Sequence, residues 1–179
     1  MRYECIADIY SANEKIREGF IAIVSTISPD EAAVLPDGEK WTIQQIAEHV
    51  SIVESGISRI CAKLLESARA DGNPSDGSFS LSEKFGTRAG EIAQMKVEAP
   101  ERVHPAGDVS MAESLERLES SSISLKALSR DLNHFDFSEH TFPHPFFGPL
   151  TAGEWLVMAG LHENRHRQQI ERILEKIRQ

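Results

Sequence analysis

Two histidines, His162 and His166, stand four residues apart in the segment HENRH, and Glu163 directly follows the first of them. On an α-helix, residues i and i+4 lie on one face about 6 Å apart, so both imidazoles can reach one divalent cation. The segment also fits the pattern H-E-x-x-H, in which two histidines bind zinc and the glutamate activates water. The spacing therefore suggests either metal-dependent peptide hydrolysis or a metal site of another class.

The surrounding residues argue against a metalloprotease. One form of that site needs a glycine at position 169 and a histidine at position 172, but the chain has Gln169 and Arg172 there. Another form takes a glutamate from a second helix far downstream, and only thirteen residues follow His166, all predicted to lie in the same helix. A peptidase also needs a sheet edge that holds its substrate extended, and none is predicted. The third ligand should therefore come from upstream.

Apolar residues that alternate between spacings of three and four predict four amphipathic helices. The first is predicted over residues 4–27, and the other three have apolar seams over Ile43–Leu64, Met111–Leu132 and Trp155–Ile177. No alternating pattern is long enough to predict a sheet, and residues 133–150 are expected to form an aromatic loop over one end of the bundle. The predicted fold class is all-α, a four-helix bundle in which residues 1–179 form a single domain.

Three of the four helices have a predicted capping box at their start, where a hydroxyl and a side chain three residues later each bind the other's backbone N–H. The pairs are Thr42 with Gln45, Ser110 with Glu113, and Thr151 with Glu154. Between the second and third helices, residues 70–109 are predicted to be irregular, with a short helix around residues 89–97.

His49 is the best candidate for a third ligand, because among the other histidines it alone lies within a predicted helix, on the flank of an apolar stripe. His162 and His166 occupy core positions, where an unpaired imidazole costs about 1–3 kcal/mol. Three neutral histidines would leave at least one position of a metal ion open to a ligand. The alternative is that these histidines are satisfied core residues that bind no metal.

Three further residues are candidates for the chemistry around such an ion. Glu163 could act as a general base or orient a ligand, and the alternative is a glutamate on the flank of the helix that pairs with Arg167 at i+4. Asn13 and Ser122 interrupt the apolar seams of the first and third helices and are predicted to contact substrate. The alternatives are that Asn13 is hydrated at a bundle edge and that Ser122 is an ordinary surface residue. His144 is expected to bind backbone in its loop rather than metal.

The composition limits the partners of this protein. A formal charge of −9, with Lys and Arg scattered along the chain, argues against nucleic acids and anionic membranes, which need clustered cations. No stretch approaches eighteen apolar residues, and Cys5 and Cys61 form no pattern typical of a disulfide framework. A reduced, cytoplasmic protein that acts on a small molecule is the expectation.

Three stretches, WTIQQIAEHVSIVE, HPFFGPLTAGEWLVMAGLHENRH and RQQIERIL, closely resemble the DinB family of four-helix metalloproteins, and the resemblance covers essentially the whole chain. It implies a DinB-like bundle, often homodimeric, in which His49, His162 and His166 bind a divalent metal such as zinc or nickel. Related enzymes include bacillithiol transferases and a mycothiol-dependent maleylpyruvate isomerase, in which the metal activates a low-molecular-weight thiol.

The resemblance and the histidine spacing together predict a metal-dependent enzyme. Its reaction would resemble thiol S-transfer or hydrolysis on a small molecule, at the open position of the ion. The alternative is a non-enzymatic bundle whose metal ion is structural or sensed.

Overall fold

A computed structural model describes residues 3–93, 95 and 97–179. In chain order its helices and strands are α1 (Ile6–Val24), α2 (Pro29–Ala33), α3 (Ile43–Asp71), α4 (Glu83–Ala93), α5 (Met111–Ala127), α6 (Ser129–His134), β1 (Thr141–His144), β2 (Gly148–Thr151) and α7 (Ala152–Ile177). The long helices α1, α3, α5 and α7 form the bundle, in which α3 packs against α5 and α7, and α1 packs against α7. The predicted all-α four-helix bundle is confirmed.

The starts of α3 and α7 match their predicted capping boxes. Thr42 accepts the amide of Gln45 at 3.2 Å while the Gln45 side chain accepts the amide of Thr42 at 3.0 Å. Thr151 and Glu154 make the same pair of bonds, at 3.3 and 3.0 Å. Before α5, the hydroxyl of Ser110 accepts the amide of Glu113 at 3.1 Å. These bonds satisfy N–H groups that have no partner within the first turn of a helix.

The segment expected to be an aromatic loop contains an antiparallel hairpin of β1 and β2, so the expectation of no strand there was wrong. The turn is closed by His144, whose Nδ1 accepts the amides of Phe146 at 3.1 Å and Phe147 at 3.4 Å. The indole of Trp155 donates to the carbonyl of Phe142 at 3.3 Å. Strands of four residues, each with a proline, are too short for an alternating pattern, and the turn and its packing on α7 define them instead.

Three boundaries also differ from the sequence-based expectation. The first helix ends at Val24, and a separate short helix, α2, begins behind an N-cap at Ser28. The third apolar seam is divided at Leu128 into α5 and α6. The short helix predicted at residues 89–97 begins earlier, as α4, and positions 94 and 96 lie outside the described residues.

The apolar core consists of two clusters separated by a polar layer. Along α3 the buried apolar residues of the two clusters are Ile43–Val50 and Ile57–Ala68, and along α7 they are 152–159 and 170–174. The buried polar residues between those stretches are Ser51, Glu54, Glu163 and His166, and Glu48 and His49 lie at the end of the first stretch of α3. Glu154, also buried, lies in the first turn of α7. The middle of the bundle therefore holds its candidate functional residues. In the described part of the chain, no helix combines the length and apolar character needed to cross a bilayer.

Candidate metal centre

The three predicted ligands come together in the polar layer. His49 lies on α3, and His162 and His166 lie one turn apart on the facing side of α7, with one ring nitrogen of each within 4.8 Å of the others. Nε2 of His49 and Nε2 of His162 are 3.1 Å apart. Two nitrogens at about 2.0 Å from a tetrahedral ion lie roughly 3.3 Å from each other, so this pair has the spacing of two ligands of one ion.

Two of the rings are oriented by a hydrogen bond at Nδ1, the nitrogen that faces away from the other histidines and that we call the outer nitrogen. His49 donates from Nδ1 to the carbonyl of Val103 at 2.7 Å, which leaves the lone pair on Nε2. His166 donates from Nδ1 to Oε1 of Gln169 at 2.9 Å, with the same consequence. Histidines that bind metals commonly hold their second nitrogen in this way, because the bond sets the tautomer and the ring plane. The donor set of this structure therefore fits a divalent ion.

Burial keeps the rings neutral. It lowers the pKa of His166 to about 3, with the neighbouring His49 adding to the effect. The pKa of His162 is held well below its ordinary value by burial and then by the two other rings. Burial also lowers the pKa of His49, against the opposing bond to Val103. A neutral imidazole is the form that binds a metal, so no proton has to be released at neutral pH.

The protein encloses the trio on two sides. The ring of Trp41 lies 4.8 Å from that of His49, centroid to centroid. On the α7 side, Arg165 donates to the carbonyls of Ile92 at 3.4 Å and Met95 at 3.2 Å, and its charge lowers the pKa of the nearby rings. A fixed cation beside the trio favours neutral rings further.

The other predicted site residues lie around a different cavity. Asn13, Ser122 and Glu163 all line a space of about 170 Å³ between α1, α5 and α7, and none of the three histidines lines it. The structure therefore brings the predicted ligands together in one place, and the predicted catalytic and substrate-binding residues together in another.

A buried ion-pair triad occupies that cavity, and we call Arg17, Glu54 and Glu163 the Arg17 triad. The guanidinium donates from Nε to Glu163 at 2.6 Å, from one Nη to the carboxylate of Glu54, and from the other to the carbonyl of Leu118 at 3.1 Å. One cation thus faces two carboxylates. Burial raises the pKa of Glu54 to about 7 and also raises the pKa of Glu163, while the guanidinium opposes both shifts.

The alternative for Glu163, a pairing with Arg167 on the flank of the helix, was wrong. Arg167 instead binds Glu171 at 2.8 Å and the side chain of Asn164, whereas Glu163 is buried. Sequence reasoning also missed Arg17 and Glu54. The available signal was the spacing of Arg17, which follows Asn13 by four residues and so continues the polar interruption of the first seam.

Asn13 holds α1 against α7. Its Nδ2 donates to the carbonyl of Leu156 at 2.9 Å, and its buried Oδ1 has no hydrogen-bond partner among the described residues. A Cβ on Gly160 would lie 2.1 Å from that oxygen, so the close approach of the two helices requires glycine. The neighbour of Ser122 on α5, Ser121, is buried and does have a partner, the hydroxyl of Ser55 at 3.1 Å.

A four-helix bundle with three convergent histidines across two of its helices defines the class of this protein. The sequence profile of the DinB superfamily matches residues 12–170, and the chain belongs to that superfamily. It is 26% identical over 152 residues to the uncharacterized protein YuaE of Bacillus subtilis (strain 168), covering 84% of this chain and 88% of that protein. The crystal structure of TT2238, a four-helix bundle protein, matches 93% of this chain and 98% of its own with a TM-score of 0.61 and 22% identity, a likeness of fold.

Proposed function

We propose that this protein is a metal-dependent enzyme that acts on a small molecule, with one divalent ion, zinc or nickel, held by His49, His162 and His166. The observation that carries the proposal is the convergence of three neutral ring nitrogens within 4.8 Å, two of whose rings are oriented by bonds at the opposite nitrogen. The contact between Nε2 of His49 and Nε2 of His162 can satisfy at most two of the three inner nitrogens, and a buried nitrogen without a partner is unfavourable, which supports a bound ion over unpaired core histidines.

An ion on three neutral imidazoles supplies Lewis acidity, which makes a thiol or a water at its open position easier to deprotonate. The side chains supply geometry and electrostatics: the bonds to Val103 and Gln169 hold two ligand rings, the ring of Trp41 packs on that of His49, and the charge of Arg165 favours neutral rings. Thiol S-transfer and hydrolysis are the two reaction classes that such a site supports. A cytoplasmic location and a homodimer are further parts of the proposal.

The role proposed for Glu163 depends on the Arg17 triad. Its Oε1 is bound to the guanidinium, so as a general base it would have to exchange that bond for one to the substrate. Asn13 and Ser122 line the same cavity and are proposed to contact the substrate there. The alternative function is a non-enzymatic bundle with a structural or sensed ion, and it is favoured by the fact that this cavity is not lined by the histidines.

Metal analysis of protein purified without a histidine tag tests the site. We expect one divalent ion per chain, and a sharp loss of metal in His49→Ala and in His166→Ala. His140→Ala is the matched control, because His140 binds Asp71 at 2.9 Å outside the cluster and should retain the metal. Unchanged metal content in both cluster variants would show that the assignment is wrong.

Replacement of the native ion by cobalt tests the reaction class. We expect small thiols to shift the visible bands of the cobalt form, and the shift to vanish in His162→Ala. Metal-dependent transfer of that thiol to an aryl halide should then weaken in Glu163→Gln. A cobalt spectrum that does not respond to thiols would remove the transferase and leave the hydrolase. An ion that is also closed to water would favour the structural alternative.

A further inference from the structure

Glu48 is a buried carboxylate next to a predicted metal ligand, and it binds a loop rather than a charged side chain. Its exposed fraction is 1%, and its two oxygens accept the consecutive amides of Ala106 at 2.8 Å and Gly107 at 2.9 Å. Consecutive backbone N–H groups that converge on one anion form a nest. Gly107 has φ +88°, in the left-handed region that favours glycine, so the sequence of the loop suits this geometry.

The same loop carries the carbonyl that orients His49. Val103 ends a 3-10 turn, Glu101–Val103, only three residues before Ala106, and its oxygen accepts the Nδ1 proton of His49. Glu48 and His49 are adjacent on α3, so one turn of helix binds the loop at two points. The ring of His104 also packs edge-on against Trp41, with centroids 5.7 Å apart, and Trp41 in turn contacts His49.

These contacts form a chain from Glu48 to the metal centre. The carboxylate fixes the amides at 106 and 107, the short loop fixes the carbonyl of Val103, and that carbonyl fixes the proton of His49 on Nδ1. The lone pair of Nε2 is then directed at His162, 3.1 Å away. If the loop moved, His49 would lose the acceptor that holds its proton on Nδ1, because its contacts with the rings of Trp41 and His166 do not distinguish its two nitrogens and Nε2 of His162 can act as either donor or acceptor.

We propose that Glu48 is a positioning residue of the metal centre, which holds the loop at residues 103–107 so that His49 presents Nε2 to the ion. The part that concerns the ion depends on the proposed function, whereas the part that concerns the tautomer of His49 does not. Partners that orient ligating histidines typically change metal affinity by about 10–100-fold when they are lost.

The test uses Glu48→Gln, whose amide can accept one loop N–H but opposes the other with its own N–H. Gly107→Ala is a second variant at an exposed position, where a left-handed backbone disfavours any side chain. Glu54→Gln is the matched control, since Glu54 is equally buried on α3 but binds Arg17 and not the loop. Two quantities are measured: cobalt affinity by titration, and the Nδ1–H signal of His49 by ¹H–¹⁵N NMR of metal-free protein.

We expect cobalt affinity to fall about tenfold or more in Glu48→Gln and in Gly107→Ala, with the stoichiometry still at one and the affinity of Glu54→Gln unchanged. The His49 signal should be present in the wild type and broadened or lost in both loop variants. Unchanged affinity with an unchanged signal in either folded loop variant would overturn the proposal. A wild type that binds no cobalt would contradict the proposed function alone, because the metal-free NMR comparison still tests the positioning of His49.

Discussion

The polar layer of the bundle contains two regions built on the same helices, α3 and α7, with opposite arrangements of charge. On one side, the neutral rings of His49, His162 and His166 bring one nitrogen each within 4.8 Å of the others. On the other, Glu54 and Glu163 share the single guanidinium of Arg17. Both regions interrupt the apolar core, but in the first the nearby Arg165 is bonded to backbone carbonyls and not to the histidines, whereas in the second Arg17 is bonded to both carboxylates.

The difference shows that a buried polar group can find its partner within the protein or can depend on a bound ligand. A buried polar group is tolerated only with a partner, and the Arg17 triad obtains its partner from α1. The histidine cluster obtains hydrogen bonds at the outer nitrogens of His49 and His166, and its inner contact joins Nε2 of His49 to Nε2 of His162 at 3.1 Å, a pair that a cation can bridge in place of a proton. The sequence had suggested a single site for the three histidines and for Asn13, Ser122 and Glu163. The structure instead separates the histidines from the other three residues, which line the cavity of the Arg17 triad.

Removal of the cation from the triad should have the largest effect on stability. Arg17→Met leaves two buried carboxylates without a partner, so the free energy of unfolding should fall by about 3–5 kcal/mol at about pH 8, and by less at low pH where the carboxyls are protonated. Urea denaturation measures the change. Lys126→Met is the control, because its ion pair with Glu14 at 3.2 Å is exposed and should contribute less than about 1 kcal/mol.

The same variant separates the two regions. Metal content should be unchanged in Arg17→Met if the histidine cluster is independent of the triad. Loss of metal together with little loss of stability would instead join the two regions into one site, and the comparison drawn above would fail.

Close packing beside the triad should give the next largest effect. Gly160→Ala places a Cβ 2.1 Å from Oδ1 of Asn13, so the side chain must move or α1 must shift, at a cost of about 1–3 kcal/mol. Gly56→Ala on α3 is the control: its Cβ would meet nothing within 4 Å, and alanine favours a helix. Equal denaturation midpoints for the two variants would contradict the tight contact of α1 with α7.

The two regions should respond to pH in opposite directions. Burial holds the pKa of the histidines below their ordinary value of 6.5, so the stability that they contribute is present above that pH and is lost as the pH falls. Burial raises the pKa of Glu54 from 4.5 to about 7, so the stability tied to its protonated form is present below pH 4.5 and is lost as the pH rises through 7.

Glu54→Gln should therefore remove a decline in stability on the order of 1 kcal/mol per pH unit between about pH 5 and 7. Urea denaturation across that range, with a chelator present, measures the difference between variant and wild type. Glu113→Gln, at an exposed position of α5, serves as the control. A difference between wild type and Glu54→Gln that stays constant with pH would mean that Glu54 does not titrate in this window.

The smallest effect on stability is expected at the start of α7, the helix that carries residues of both regions. Thr151→Ala removes the hydroxyl that caps α7, which carries residues of both, and should cost about 1 kcal/mol. Thr26→Ala is a suitable control, because its hydroxyl only donates to the carbonyl of Ile23 at an exposed helix end. A midpoint equal to that of the wild type would show that the cap contributes nothing to the start of α7.

Local patterns accounted for much of what could be predicted. The periodicity of 3.6 residues per turn placed Ile9 and Phe20 on the apolar face of α1 and Ile46 on that of α3, and each of them is buried. The caps at Thr42 and Thr151 need only residues within one turn. The trio of His49, His162 and His166 also followed from local evidence, since the spacing of two fixed the pair and helical placement selected the third.

What the sequence determined by itself is therefore the set of helices, most of their starts, and the residue types on each face. Only the tertiary structure decided that Glu163 meets Arg17 rather than Arg167, and that Glu48 binds amides 58 and 59 residues away. The hairpin before α7 was likewise decided only by the tertiary structure. The physical reason is range: helix periodicity and capping arise within a few residues, whereas the rotation of each helix about its axis and the path of a loop are set by packing between distant segments.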